Sequence, residues 1–368
     1  MDKIPDTNNK QTILVIDDTP ENLTVINALL REFYQVKVAV SGVDGLRVAQ
    51  MEPRPDLILL DIMMPDIDGY EVCRQIKANP VTENIPVIFL TAKIHMEDEQ
   101  RGFDVGAVDY IVKPISPPIV LARIQTHLFL KDQRRFLEYQ VEQRTREIAL
   151  TQDVTIFALA SLAETRDNET GNHIRRTQHY VRLLAEKLRS HPKFSSMLTP
   201  PVIDMIYKSA PLHDLGKVGI PDHILLKPGP LTVEEYEVMK THARLGANAL
   251  IDAEKLIGRK NNFLQCAREI AMWHHEHWDG SGYPDGLSGN KIPLAARLMA
   301  IADVYDALIS ERVYKQAIEH DLAVEIILSG RGTHFDPDMV DAFAAISDQF
   351  QQIAQQYRDR HIPGAQVK

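Results

Sequence analysis

Only two cysteines, Cys73 and Cys266, occur in the 368 residues. So few thiols, so far apart, exclude a disulfide framework and a thiolate metal site, and fit a reducing cytoplasm. Positive charge is also scarce. Forty-one Lys and Arg stand against 51 Asp and Glu, a formal net charge of −10. Nucleic-acid binding needs a basic footprint that this balance does not supply. An anionic substrate would have to be drawn by a locally positive site rather than by the whole chain's field. No apolar run approaches the roughly 18 residues of a membrane span. The N-terminus has no basic segment followed by an apolar stretch, so no signal peptide is read. Internal repeats and low-complexity tracts are absent. What remains, 44% hydrophobic and 25% charged residues, describes an ordinary globular protein. The length predicts two domains.

Residues 1–10 are polar and predict a frayed tail. From 11 to 128 short apolar runs alternate with amphipathic stretches. Strands are expected over 13–16, 35–40, 57–60, 87–90 and 110–112, with helices over 21–32, 43–51, 70–77 and 97–105. Continuous apolar strands alternating with helices imply a parallel sheet covered on both faces. In such folds the site lies at the carboxyl ends of the strands. Asp17 and Asp18 close the first strand, Asp61 the third, Thr91 the fourth, and Lys113 with Pro114 the fifth. Converging carboxylates repel unless a cation sits among them, and Mg²⁺ suits an all-oxygen site. One carboxylate can then attack a phosphoryl donor, with Lys113 pairing the phosphoryl oxygens.

With these motifs the segment resembles the receiver domains of two-component response regulators, which are flavodoxin-like with a five-stranded parallel sheet. The resemblance implies that Asp61 is the phospho-acceptor and that Asp18, Asp61 and the Met63 carbonyl hold Mg²⁺, supported by Asp17. It makes Thr91 and Tyr110 the switch pair and Lys113 the phosphate counter-ion. A cognate sensor histidine kinase is the implied partner.

Beyond Pro117-Pro118 the pattern stays helical to about Asp167, without glycine or proline, and 129–155 is read as a helical linker. Its apolar members Ile119, Ile124, Leu128, Leu137, Val141, Ile148 and Phe157 form an irregular seam. The middle, 134–147, is strongly charged, with Glu142 and Arg146 spaced for a helix-surface pair. A parallel homodimer through this helix is the favoured reading, and a helix folded against one domain is the other.

Residues 156–358 read as almost entirely helical, with 359–368 as a tail. Helices are expected over 155–166, 173–191, 200–213 and beyond, 232–241 and onward, 264–277, 294–310, 321–329 and 337–357. Histidines and carboxylates recur along them: Glu169 and His173 four apart, His213-Asp214, His242, His274-His275, and Asp303 and Asp306 three apart. His242 is followed four residues on by Gly246, where a helix can approach closely. Imidazole and carboxylate without thiolate suit Fe, Mn, Zn or Ni. The donors exceed one ion's needs, so two or three ions sharing Asp214 are expected. Glu169, Asp214 and Asp303 carry three negative charges, which two divalent ions turn to +1 and three to +3. The site therefore attracts anions once metallated. Two metals roughly 3.5–4 Å apart suit phosphoester hydrolysis. Lys217, Arg312 and Lys315 could hold the phosphates.

Four stretches carry a further resemblance: His213-Asp214-Leu215-Gly216-Lys217, the run His274-His275-Glu276-His277-Trp278-Asp279-Gly280-Ser281-Gly282-Tyr283-Pro284, Ala302-Asp303-Val304-Tyr305-Asp306-Ala307, and His334-Phe335-Asp336-Pro337. The chain from about 157 to 343 resembles the HD-GYP branch of the HD phosphohydrolases. This implies an all-α, metal-dependent phosphodiesterase acting on cyclic di-GMP. The implied metal ligands are His213, Asp214, His242, His274, His275 and Asp303, with Glu169 and His173 the extra pair of trinuclear members. Asp306, Arg312 and Lys315 fall at substrate-contacting positions, and Lys217 at the catalytic lysine. One departure is Val313, where the family commonly has proline, which leaves the Arg312 backbone less constrained. The Gly-Tyr-Pro run either shapes the pocket lip or also meets diguanylate cyclase domains. The whole implies a cytoplasmic response regulator in which phosphorylation of Asp61 controls hydrolysis of cyclic di-GMP to a linear dinucleotide or GMP. A cyclic di-GMP sensor with little turnover and an enzyme for another cyclic dinucleotide are the alternatives.

Overall fold

The computed structural model describes residues 10–92, 96–166, 171–310 and 317–358. The chain divides into two compact units, one up to Arg146 and one from Glu147.

The first unit is built on five parallel strands, β1 (Thr12–Ile16), β2 (Gln35–Ala39), β3 (Leu57–Asp61), β4 (Val87–Thr91) and β5 (Asp109–Val112). Their order is β2-β1-β3-β4-β5. Every residue of β1, β3 and β4 is buried, as unbroken apolar runs require when both faces are covered. Leu14, Ile16, Ile58, Leu60 and Phe89 pack on one face, and Ile13, Val15, Leu57, Leu59 and Leu90 on the other. Helices α1 (Pro20–Leu30), α2 (Gly42–Ala49), α3 (Gly69–Ala78) and α4 (Met96–Asp104) alternate with the strands. The register pairs Ile16 with Leu60, Asp61 with Leu90 and Thr91 with Val112. Asp17, Asp61, Thr91 and Lys113 thereby gather at the carboxyl edge. The five-stranded receiver sheet is the one expected.

Helix α5 (Pro117–Glu164) runs 48 residues without a break. The stretch 129–155 read as a helical linker is the middle of this one helix. Its first turns bury Val120, Ile124 and Leu128 in the first unit's core, while residues 132–148 are all exposed. The expected Glu142–Arg146 pair is formed.

The second unit is helical: α6 (Gly171–Leu188), α7 (Pro200–Ser209), α8 (Asp222–Leu225), α9 (Val233–Ile257), α10 (Asn262–Trp273), α11 (Leu294–Ile309), α12 (His320–Ser329), α13 (Pro337–Ala344) and α14 (Ser347–Gln356). Its core centres on Tyr180, Tyr305, Phe343 and Phe350, with Tyr180 and Phe350 stacked 4.4 Å apart. Three expectations shift. The helix expected over 200–213 ends at Ser209 and tightens into 3₁₀ turns over Ala210–Leu212 and Leu215–Gly219. The one expected over 264–277 ends at Trp273, so His274 is its C-cap and His275 opens a loop. The stretch 337–357 breaks between α13 and α14, where Ile346 turns into the core. Cys73 and Cys266 are both free and buried, one in each unit.

Candidate functional site

Among the described residues, two side-chain clusters carry chemistry, one in each unit. In the first, Asp17, Asp18 and Asp61 present carboxylate oxygens within 4.8 Å of one another. Lys113 Nζ donates to Asp17 Oδ2 at 2.9 Å and to Asp61 Oδ2 at 2.8 Å. Asn22 and the Thr19 N–H also donate to Asp17, which fixes that carboxylate. Burial pushes the Asp61 carboxyl up, against the opposing pull of Lys113. Lys113 is held above its ordinary value because its bonds to Asp61 and Asp17 outweigh burial. Gly69 opens α3 directly under this edge; a Cβ there would lie 2.2 Å from the Asp61 carbonyl oxygen. Thr91 is buried, and Tyr110 packs edge-on against Phe103 at 6.4 Å. The Met63 N–H lies 3.4 Å from Asp61 Oδ1.

In the second unit the donors form two groups that meet at one carboxylate. Asp214, His242, His274 and His275 make the first, and His173, His213 and Asp303 the second. Asp214 Oδ1 lies 3.3 Å from His242 Nε2 and 3.7 Å from His274 Nε2. Its Oδ2 lies 3.3 Å from His213 Nε2 and 2.9 Å from Lys217 Nζ. His213 Nε2 is 3.4 Å from His173 Nε2, and each is 3.9 Å from Asp303 Oδ1. Six elements supply these residues: α6, the two 3₁₀ turns after α7, α9, the end of α10, and α11.

The rings are aimed by their far nitrogens. Nδ1 of His213, His242 and His274 faces the carbonyls of Ala210, Met239 and Ile270 at 3.0, 2.7 and 2.9 Å. Those oxygens only accept, so each Nδ1 carries the proton and each Nε2 offers a lone pair to the centre. His275 is oriented differently, by the Tyr283 ring stacked on it at 4.7 Å. Gly216 lets its turn touch α9: a Cβ there would meet the His242 carbonyl oxygen at 1.9 Å. Burial holds His274 down to about 4 and His275 well below the usual imidazole range, so both stay neutral. Asp214 is held well below the carboxylate range, since Lys217 and His213 outweigh its burial.

The fit to divalent metal rests on unsatisfied atoms. Asp214 Oδ1, His242 Nε2 and His274 Nε2 are buried and lack hydrogen-bond partners, yet they face one another. Buried polar atoms are rarely left so. Imidazoles and carboxylates without thiolate are donors for first-row divalent ions, and a carboxylate with one oxygen in each group suits two.

Glu276 supplies what the motif's sequence did not reveal. It is buried and accepts the N–H groups of Asp285 at 2.7 Å and Leu287 at 2.9 Å. The loop carrying Tyr283 is thereby pinned beneath His275. Gly282 lies so close that a Cβ would sit 2.2 Å from the His277 nitrogen. The N–H groups of Trp278 and Asp279 donate to the His334 and Thr333 carbonyls. Asp336 caps α13 and pairs with Arg297 at 2.5 Å, so that motif braces the same loop.

Of the expected site residues, the seven named in the two donor groups and Lys217 converge as described. Glu169, Arg312 and Lys315 lie outside the described residues, as does Val313. Asp306, expected to touch substrate, is buried, with Oδ2 at 2.8 Å from His173 Nδ1 and both oxygens accepting from Arg176. It lies one helical turn beyond Asp303 and meets α6 through His173 and Arg176. Burial would raise its carboxyl, but His173 and Arg176 bring it down to about 2. Two residues escaped the sequence reading. Arg176 was one charged residue in an amphipathic helix, and Glu164 lay outside every motif. Glu164 closes α5, buried, with Oε1 3.9 Å from His173 Nε2.

A receiver edge on one unit and a histidine–carboxylate centre on the other define a response regulator with a metal-dependent output domain. Residues 13–125 match the response regulator receiver domain family, and 158–339 match the HD domain family. The chain is 54% identical over 355 residues to a probable cyclic di-GMP phosphodiesterase of Vibrio cholerae, covering 95% of this chain and 80% of that one. It is 38% identical to the cyclic di-GMP phosphodiesterase response regulator RpfG of Xanthomonas campestris, covering 94% and 90%. A 3'3'-cGAMP-specific phosphodiesterase of Vibrio cholerae is 40% identical over 195 residues, 53% of this chain and 35% of that one. The chain belongs to the family of response regulators in which a receiver domain precedes an HD-GYP domain.

Proposed function

We propose that this enzyme hydrolyses cyclic di-GMP at the histidine–carboxylate centre, under control of phosphorylation at Asp61. The observation that carries the reading is Asp214, one oxygen turned to each donor group. One ion would be held by Asp214, His242, His274 and His275, and a second by Asp214, His173, His213 and Asp303, with Glu169 as a further donor. Fe or Mn suits these donors best, and Zn or Ni also fits. Such a centre supplies a water-derived nucleophile at neutral pH and stabilises charge on the phosphoryl oxygens. Water adds to phosphorus, one P–O ester bond breaks, and the departing ribose oxygen takes a proton. Lys217 is assigned to carry that proton and to face phosphoryl charge, a reading supported by its 2.9 Å contact with Asp214. Arg312 and Lys315 are assigned to the phosphates. The neutral rings of buried His274 and half-buried His275 keep their lone pairs available where a charged imidazolium could not bind.

In the receiver, Asp17, Asp18, Asp61 and the Met63 carbonyl are assigned to Mg²⁺, Thr91 and Tyr110 to the switch, and Lys113 to the phosphoryl group. The phosphodonor is a cognate histidine kinase in the cytoplasm. Exposed Leu130, Leu137, Val141 and Ile148 along α5 support a parallel homodimer. The Gly-Tyr-Pro loop is also a candidate contact for diguanylate cyclase domains. No described helix is long and apolar enough to cross a membrane.

The test is turnover by Mn²⁺-loaded protein with separated products, using cyclic di-GMP and 3'3'-cGAMP in parallel. Linear dinucleotide or GMP formed preferentially from cyclic di-GMP supports the reading. Preference for cGAMP supports the alternative raised by the cGAMP-specific relative, and binding without turnover refutes hydrolysis.

A further inference from the structure

Arg176 lies on α6 three residues after His173 and is buried with Asp306. Its Nε donates to Asp306 Oδ1 at 2.6 Å, and its Nη2 donates to Oδ2 at 2.9 Å and to Ser310 Oγ at 3.0 Å. Its Nη1 donates to the Tyr357 carbonyl at 3.0 Å. This two-pronged grip leaves Asp306 little rotational freedom. Asp306 Oδ2 in turn takes the proton on His173 Nδ1 at 2.8 Å. His173 Nε2 therefore turns its lone pair towards His213 and Asp303.

The contrast with the other rings gives this contact its meaning. His213, His242 and His274 rest on neutral backbone carbonyls. Among these four ring-to-backbone or ring-to-carboxylate contacts, only that of His173 uses an anion. A carboxylate partner orients an imidazole and raises its donor strength more than a carbonyl does. His173 belongs to the group with His213 and Asp303, not to the one with His242, His274 and His275.

We propose that Arg176 and Asp306 are a positioning pair that sets how tightly the second metal position is loaded. This rests on the metal reading above and adds to it a division of labour. The first position is built only from carbonyl-fixed and stacked rings, whereas the second adds to the carbonyl-fixed His213 a ring, His173, held by a charged brace. Asp306 then affects the reaction through His173 and does not touch substrate.

The test is metal content per chain of full-length protein, by elemental analysis over graded Mn²⁺, with steady-state kinetics alongside. Asp306→Asn is expected to retain tight metal at the first position. At the second it should weaken Mn²⁺ binding about 10- to 100-fold, the range typical of such outer contacts. The fall in kcat should be partly recovered by excess Mn²⁺, with KM little changed. Arg176→Lys, which keeps the charge but not the fork, should show the same pattern more mildly, and Asp306→Glu should recover part of the loss. Unchanged metal affinity with a raised KM in Asp306→Asn overturns the proposal and returns Asp306 to the substrate. Loss of metal in parallel with lost cooperative melting of the metal-free variants also overturns it. Wild-type protein that takes up no metal overturns the metal reading as well, whereas parity between wild type and variant overturns only the pair.

Discussion

The ring of Tyr283 lies over the ring of His275, centroids 4.7 Å apart and planes inclined by 27°. The Tyr283 N–H also donates to the His275 carbonyl at 3.2 Å. The Gly-Tyr-Pro run thus supports one ring of the histidine–carboxylate cluster.

From that contact follows a graded prediction. Tyr283→Phe keeps the stacked ring and should keep metal affinity. Tyr283→Ala should weaken metal binding about tenfold, at the mild end for outer contacts of a metal site. Titration of Mn²⁺ into both variants checks this. Equal affinities would mean that the stacking does not orient His275.

Gly216 is expected to tolerate no side chain. Its missing Cβ is what allows the Lys217 turn to meet α9 at the His242 carbonyl. Backbone cannot swing aside as a flexible side chain can. Gly216→Ala should therefore cost about 1–3 kcal/mol, as overpacked sites do, and should lower metal affinity because His242 moves. Denaturant unfolding of the metal-free and loaded forms measures both effects.

Metal-free protein should lose stability in mild acid. Burial holds His274 and His334 down to about 4, and His275 well below its usual range. Depressed imidazoles bind protons more readily unfolded than folded. Their contribution is therefore complete above about pH 6.5 and lost as pH falls towards 4. His213 works in the opposite sense, since Asp214 and Asp303 hold it up against its burial, but it is one ring against three. Melting temperatures of chelator-treated protein from pH 7.5 to 4.5 should fall across that window. A flat profile would contradict the burial of neutral rings.

Lys113 is expected to matter most when Mg²⁺ is absent. It bridges Asp17 and Asp61. Lys113→Met leaves those carboxylates without their shared cation, and should destabilise the first unit by about 1–3 kcal/mol, below the fully buried limit because the lysine is partly exposed. Added Mg²⁺ should recover more stability in the variant than in wild type. Thermal melts with and without Mg²⁺ test this, and equal Mg²⁺ responses would count against a shared site.

The receiver edge was legible because unbroken apolar runs dictate a two-faced parallel sheet, and that sheet carries Asp17, Asp61 and Lys113 to one place. The length of α5 was legible from its lack of glycine and proline. Seven metal-type donors were legible by residue type and spacing, and they do converge. What the spacing of Asp303 and Asp306 could not reveal is depth. Residues three apart share a helical face, yet the first reaches the donor group while the second meets Arg176 of α6. Glu276 was opaque for a related reason: its partners are backbone N–H groups nine and eleven residues ahead, which no residue-type pattern marks.

The central claim is that Asp214 joins two metal positions into one hydrolytic centre. The most direct measurement compares wild type with Asp214→Asn for bound Mn²⁺ and for cyclic di-GMP turnover in the same preparations. The account predicts at least two metals per wild-type chain, a loss at both positions in the variant, and a fall in kcat beyond the 10- to 100-fold typical of outer contacts. A variant that keeps its metals and its turnover would contradict it.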